Sequence, residues 1–144
     1  VPAIAGLGLA SVKIYETLEE DAERMYRLRE KLIQGVADIG NIQVNGCPGR
    51  EGAPHVVSIS FRGVRSEVLL HALEDKGICV SAGSACAAKH PRPSETLKAI
   101  GAERSLLEST LRFSLSLFTT EEEIVYTVRA LHEIVPVLRR YSRY

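Results

Sequence analysis

The 144-residue sequence has no tryptophan, one methionine and three cysteines, and only 6% of its residues are aromatic. A small, odd number of cysteines argues against a disulfide framework and fits a reducing compartment, so a cytoplasmic protein is expected. Lysine plus arginine and aspartate plus glutamate both number 18, so no basic surplus points to nucleic acid or an anionic membrane as a partner. No apolar run reaches the roughly 18 residues that a transmembrane helix requires.

The composition that is present, 45% hydrophobic and 25% charged, is that of an ordinary globular domain. A chain of this length is long enough to bury a core of its own. It opens on Val1-Pro2, without an initiator methionine or a secretory leader, and its helical pattern starts almost at once. We therefore expect a piece of a longer protein.

Apolar residues recur at helical spacing in several segments, and local signals mark where those segments end. Gly40, Gly77 and Gly101 suit C-terminal stops, and Thr120 with Glu123 has the pattern of a capping box. Helices are predicted at 3–17, at 19–38, at 65–77, over a short stretch from Ser94, and from Thr120 onward. Inward positions are expected at Met25, Leu28, Leu32, Val36, Leu97, Ile100, Ile124, Val128, Leu131, Val135 and Leu138.

Short alternating or β-branched segments predict four strands, at 41–45, 55–61, 78–81 and 109–118. These strands do not alternate strictly with the helices, which disfavours a doubly wound parallel sheet. The order predicts an α+β fold with a small, largely antiparallel β-sheet covered by helices on one face.

Cys86 lies among small residues, in 82-AGSACAA-88, and Pro91 and Pro93 follow it. Small side chains offer no bulk to pack around a sulfur atom, and they supply little apolar area to offset the entropy of ordering. We therefore expect the loop over 82–92 to be mobile, with an exposed thiol. Such a setting suits a nucleophile that travels to its substrate, and a bland loop residue is the alternative.

A metal site built from Cys79, Cys86 and His90 is disfavoured by spacing. Zinc ligands usually come as pairs two to four residues apart, whereas these two cysteines are about seven apart. No metal site is predicted. Cys79 is interpreted as part of the core, and Cys47 as a loop residue.

Arg112 interrupts an otherwise apolar strand, between Leu111 and Phe113. Period-2 alternation places it on the polar face of that strand, with Thr110 and Ser114. A guanidinium in this position either points to solvent or binds an anion such as a carboxylate through its two-pronged fork.

These motifs, taken together, resemble a known family over nearly the whole chain. The C-terminal part of the pyridoxal-phosphate-dependent cysteine desulfurases, the NifS/IscS-type enzymes of the class V aminotransferase fold, is similar in four stretches: 83-GSAC-86, 93-PSETLKAIG-101, 111-LRFSL-115 and 119-TTEEEI-124. Upstream segments follow the family in the same order: 1-VPAIAGLGLA-10, 28-LREKLIQGV-36, 56-VVSISFRGV-64 and 66-SEVLLHALEDKGICVS-81.

The resemblance implies roles for two residues. Cys86 matches the nucleophile that takes sulfur from L-cysteine as a persulfide and releases L-alanine, and Arg112 matches the arginine that binds the substrate carboxylate. It also implies a homodimer in the full-length enzyme and a sulfur acceptor such as an iron–sulfur scaffold protein. Ala82, Glu95 and the pair Ser116-Leu117 depart from the residues common in the family.

The resemblance further implies that residues 1–144 are the small domain, and that the large domain that binds pyridoxal phosphate is absent from this chain. None of the five lysines, at 13, 31, 76, 89 and 98, stands in the family's histidine-lysine context. No cofactor-binding residue is assigned, no bound cofactor is expected, and the isolated chain is expected to be inactive. Two alternatives remain: a selenocysteine lyase or other class V enzyme, and a free-standing sulfur-carrier or redox module.

Overall fold

The computed structural model describes residues 1–82 and 95–141. Its helices are α1 (Pro2–Val36), α2 (Ser66–Glu74), α3 (Glu95–Ala99) and α4 (Glu121–Tyr141). Its strands are β1 (Ile42–Asn45), β2 (Val56–Phe61), β3 (Ser81–Ala82) and β4 (Thr110–Ser114). Short 3-10 turns lie at Ala37–Ile39, Gly49–Glu51 and Arg104–Leu106.

The four strands form one antiparallel sheet in the order β1-β2-β4-β3. The core lies between one face of this sheet and helices α1, α2 and α4, which confirms the predicted α+β fold. Alternate strand residues supply the sheet side of the core: Val57, Ile59, Phe61, Leu111 and Phe113. The helices supply Leu28, Leu32, Val36, Leu69, Leu73, Ile124, Leu131 and Val135.

Local sequence signals end the helices where they were predicted to. Gly40, Gly77 and Gly101 all have positive φ, between 71° and 76°, which glycine adopts without steric cost. The capping box is also present: the Glu123 amide donates to Oγ1 of Thr120 at 3.2 Å, and the Thr120 amide donates to Oε2 of Glu123 at 2.9 Å. The backbone amides of Thr120 and Glu123, which have no partner within the helix, are therefore both hydrogen-bonded.

Four predictions about elements were wrong. The segments predicted as two helices, 3–17 and 19–38, form one continuous helix, Pro2–Val36, because no proline or glycine separates them; the last residues belong to the 3-10 turn Ala37–Ile39. The strands expected at 78–81 and 109–118 are reduced to Ser81–Ala82 and Thr110–Ser114. Ile100, expected to point inward, is 52% exposed because α3 ends at Ala99, whereas Leu97 is buried as predicted.

Candidate functional site

The sheet face opposite the core is polar. Cross-strand partners share a face, so the register assigns one set of residues to this surface, which we call the polar face. Apart from Val56, its members are all hydrogen-bonding residues: Gln43, Asn45, Ser58, Ser60, Ser81, Thr110, Arg112 and Ser114. The predicted placement of Arg112 with Thr110 and Ser114 is confirmed.

Arg112 occupies the middle of a row that crosses all four strands. Ser58 of β2 lies directly opposite it on one side, and Ser81 of β3 on the other. Asn45 of β1 lies opposite Ser58 and completes the row. Arg112 therefore has only small polar neighbours beside it in the sheet.

The Arg112 side chain is exposed. Within residues 1–82 and 95–141, no hydrogen bond or ion pair engages its guanidinium. Arg24, by contrast, is occupied, because it donates to the carbonyls of Leu117 and Thr119 at 2.6 and 2.7 Å. A guanidinium with an unoccupied fork on a polar surface can bind a carboxylate through two parallel hydrogen bonds.

A hydrogen-bonded chain runs across the polar face beside Arg112. Nδ2 of Asn45 donates to Oγ of Ser60 at 2.8 Å, and Ser60 and Thr110 share a hydrogen bond of 2.6 Å between their hydroxyls. Oγ1 of Thr110 donates to the Leu106 carbonyl at 2.6 Å. Ser60 and Thr110 are almost completely buried. The bond from Thr110 to Leu106 links these hydrogen-bonded side chains to the turn before β4.

Sequence reasoning singled out Arg112 but not Asn45, Ser58 or Ser60. The signal was present in part, because 56-VVSISF-61 alternates serines with large apolar residues. What the sequence could not supply was the register, which decides that Ser58 rather than Ser60 lies opposite Arg112.

Cys86, the predicted nucleophile, lies outside the described residues, as do Pro91, Pro93, Ser94 and nearly all of the loop expected to be mobile. The described chain ends before it at Ala82, which is buried and pairs with Leu111 in β4. Leu111 is the neighbour of Arg112 in the chain. The sequence places Cys86 four positions after Ala82.

The prediction that Cys79 belongs to the core was wrong, because its side chain is exposed. Ile78 and Val80, on either side, pack against the core, so alternation turns Cys79 away from it. Cys79 lines an open cleft of about 420 Å³, together with Val80, Phe113 and Tyr126. Cys47 is exposed, in its predicted loop.

The polar face does not carry the residues that pyridoxal phosphate needs. That cofactor needs a lysine and an acidic partner for its ring nitrogen, and the polar face has neither lysine nor aspartate. Lys31 pairs with Glu121, and Lys76 pairs with Glu133 at 2.6 Å. Both lysines therefore belong to ion pairs at the protein surface.

Charged groups with shifted pKa values belong to helices and turns rather than to the strands. A hydrogen bond from Arg62 lowers the pKa of Glu103, and one from Lys76 lowers the pKa of Glu133. Burial lowers the pKa of Arg139.

Across residues 1–82 and 95–141, no three His, Cys, Asp or Glu side chains are placed to hold a metal ion. No described helix has the length and hydropathy needed to cross a membrane.

Comparisons with known proteins agree on one family. The model of the class-V aminotransferases matches residues 1–126. Cysteine desulfurase IscS of Photorhabdus laumondii is 39% identical over 142 residues, and its counterpart in Proteus mirabilis is 38% identical; the match covers 99% of this chain in both cases. The chain spans 34% of the length of each of these relatives.

Solved structures give the same result. A NifS-like protein is similar with a TM-score of 0.73 and 31% identity, over 86% of this chain and 30% of its own. The NifS-like protein of Rickettsia africae is similar with a TM-score of 0.77 and 26% identity, over 93% of this chain and 34% of its own. The chain therefore belongs to the class-V aminotransferase family.

Proposed function

We propose that this chain is the C-terminal small domain of a cysteine desulfurase that depends on pyridoxal phosphate. The observation that carries the proposal is Arg112, an exposed guanidinium with no described partner in the centre of a polar sheet face. It stands in the 111-LRFSL-115 stretch of a chain that is 39% identical to proteins named cysteine desulfurase IscS. Arg112 binds the carboxylate of L-cysteine.

Cys86 is the nucleophile in this proposal. Its thiolate attacks the sulfur of the substrate, the carbon–sulfur bond breaks, and the electron pair passes to the carbon, which takes up a proton and becomes the methyl group of L-alanine. The products are L-alanine and a persulfide on Cys86, so the two sulfurs are oxidised by two electrons and the carbon is reduced by two. The persulfide then passes to an acceptor such as an iron–sulfur scaffold protein.

The remainder of the enzyme supplies what this chain lacks. Pyridoxal phosphate provides the electron sink that makes the carbon–sulfur bond labile, and the residues that hold it lie outside these 144 residues. The full-length enzyme is a cytoplasmic homodimer in this proposal.

The exposed apolar side chains of α1 support a missing large domain. Along the N-terminal half of this helix, side chains that would normally be buried are between 42% and 76% exposed: Ile4, Leu7, Leu9, Val12, Ile14, Tyr15 and Leu18. Phe118 is 88% exposed on the turn that Arg24 of α1 holds through the carbonyls of Leu117 and Thr119. An apolar surface of this extent is typical of an interface.

The test compares the full-length protein with residues 1–144 alone. The full-length protein should release L-alanine from L-cysteine, and the isolated chain with added pyridoxal phosphate should not. A cysteine-responsive cofactor band that stayed with the isolated chain through gel filtration would contradict the division into domains.

Assays with L-selenocysteine separate the proposal from its closest alternative. The class-V match leaves the reaction open within the family. A full-length protein that released alanine from L-selenocysteine but not from L-cysteine would be a selenocysteine lyase. A gene that does not continue upstream into a large domain would instead favour a free-standing sulfur carrier.

A further inference from the structure

The hydroxyl of Ser58, directly opposite Arg112, has a hydrogen that no described residue accepts. Its hydrogen-bond partner is Asn45, whose Nδ2 donates to Oγ of Ser58 at 3.3 Å. The same amide group donates to Oγ of Ser60, so each of its two N–H bonds has an acceptor. Oδ1 of Asn45 accepts from Nε2 of Gln43 at 3.3 Å, which fixes the orientation of the amide.

The donor and acceptor of each hydrogen bond on the polar face can be assigned by starting from the last acceptor in the series. The Leu106 carbonyl can only accept, so Thr110 donates to it. Thr110 has then used its hydrogen and must accept from Ser60, and Ser60 in turn accepts from Asn45. Every hydroxyl on this path therefore has a determined role, and Asn45 is the donor at its start.

Ser58 differs from its neighbours because its oxygen accepts a hydrogen bond from Asn45 while its hydroxyl hydrogen has no acceptor among the described residues. Ser81, on the other side of Arg112, directs its hydroxyl to the Ala82 carbonyl at 3.4 Å. Of the two serines beside Arg112, Ser58 is therefore the one that presents an O–H donor. Its side chain is half-buried, and part of it remains accessible from the polar face.

We propose that Ser58 binds the substrate carboxylate together with Arg112, by donating its hydroxyl hydrogen to one carboxylate oxygen. Directly opposite residues have Cβ atoms about 4.5–5.5 Å apart, close enough for both side chains to reach one carboxylate. A carboxylate has about four acceptor positions, so a third donor fits beside the two of the arginine fork. Asn45 acts as a positioning residue for Ser58. The inference rests on the proposed function and deepens it.

The experiment uses the full-length protein and three variants. Ser58→Ala removes the donor, and Ser58→Thr keeps a hydroxyl at the same carbon. Ser105→Ala is the matched control, because the exposed Ser105 hydroxyl already donates to Glu103 at 2.6 Å and lies outside the polar face. Each protein is assayed for KM and kcat with L-cysteine and with L-cysteine methyl ester, which lacks the charged carboxylate. Thermal unfolding checks that the variants fold.

Ser58→Ala should raise KM for L-cysteine by roughly tenfold, the effect of losing one hydrogen bond to a charged group, with kcat little changed. Its KM for the methyl ester should match that of the wild type, and Ser58→Thr and Ser105→Ala should behave as wild type with both substrates. An equal rise for acid and ester, or no rise, would overturn the role of Ser58. A wild-type protein that did not turn over L-cysteine would instead refute the proposed function.

Discussion

Gly35 of α1 and Val128 of α4 are in contact where these helices pack together. A Cβ built on Gly35 would lie 2.7 Å from Cγ2 and 3.0 Å from Cγ1 of Val128. Gly35→Ala gains up to about 1 kcal/mol of helix propensity, but overpacking costs about 1–3 kcal/mol. Because a β-branched side chain in a helix has few rotamers to move to, we expect a net loss of roughly 1 kcal/mol in the free energy of unfolding, measured with urea.

The double variant Gly35→Ala/Val128→Ala gives the control for that prediction. Removing the two methyl groups of Val128 makes room for the new Cβ, so the Gly35→Ala change should be neutral or stabilising in the Val128→Ala background. A Gly35→Ala protein more stable than wild type would show that the helices separate without cost.

Arg139 joins the end of α4 to the turn that follows α1 and to the turn that follows β2. Its guanidinium donates to four backbone carbonyls at 2.9–3.1 Å, those of Arg62, Ile39, Gly40 and Asn41. Arg139→Ala should lower the free energy of unfolding by roughly 2–3 kcal/mol, because hydrogen bonds from a charged donor are lost and carbonyls lose their partner.

The neighbouring Arg140 provides the matched control for Arg139. It is exposed on the same turn of the helix, and Arg140→Ala should change the unfolding free energy by less than about 0.5 kcal/mol. Equal losses for the two variants in urea titrations would show that helix propensity or net charge, rather than the carbonyl contacts, is responsible.

Local signals made much of this fold predictable. The capping box at Thr120 and the glycine stops depend on residues within a few positions of one another, so the sequence contains all the information they need. The polar side of β4 was predictable for the same reason, because alternation over 110–114 alone determines it.

Predictions failed where contacts distant in sequence decide the outcome. Cys79 was assigned to the core because its segment looks like a strand, but the packing of Ile78 and Val80 turns it outward. Two helices were predicted in place of α1 because apolar residues such as Ile14 and Leu18 do not line up with the apolar residues further along the helix. In the structure Ile14 and Leu18 are exposed and lie off the buried face of this helix. The row from Asn45 to Ser81 depends on register across four strands, which no single segment specifies.

Cys86 should be essential for sulfur transfer and dispensable for substrate binding in the full-length protein. Cys86→Ser should stop alanine release and abolish the persulfide seen by mass spectrometry, because a hydroxyl is a far poorer nucleophile than a thiolate at neutral pH. Cys47→Ser and Cys79→Ser are matched controls, since both thiols are exposed, and they should remain active. Near-normal alanine release from L-cysteine by Cys86→Ser would reject Cys86 as the nucleophile and favour another class V enzyme in which the loop cysteine matters less.

Arg112 should act earlier than Cys86, at substrate binding. Arg112→Ala removes a bidentate, charge-assisted contact, so KM for L-cysteine should rise by roughly tenfold to a hundredfold. Arg112→Lys restores the charge without the planar fork and should recover only part of this loss. Both variants should bind L-cysteine methyl ester as the wild type does, because the ester has no carboxylate for the arginine to hold. If Arg112→Ala kept a wild-type KM and lost only kcat, the guanidinium would act during chemistry or sulfur transfer, and another group would have to hold the carboxylate.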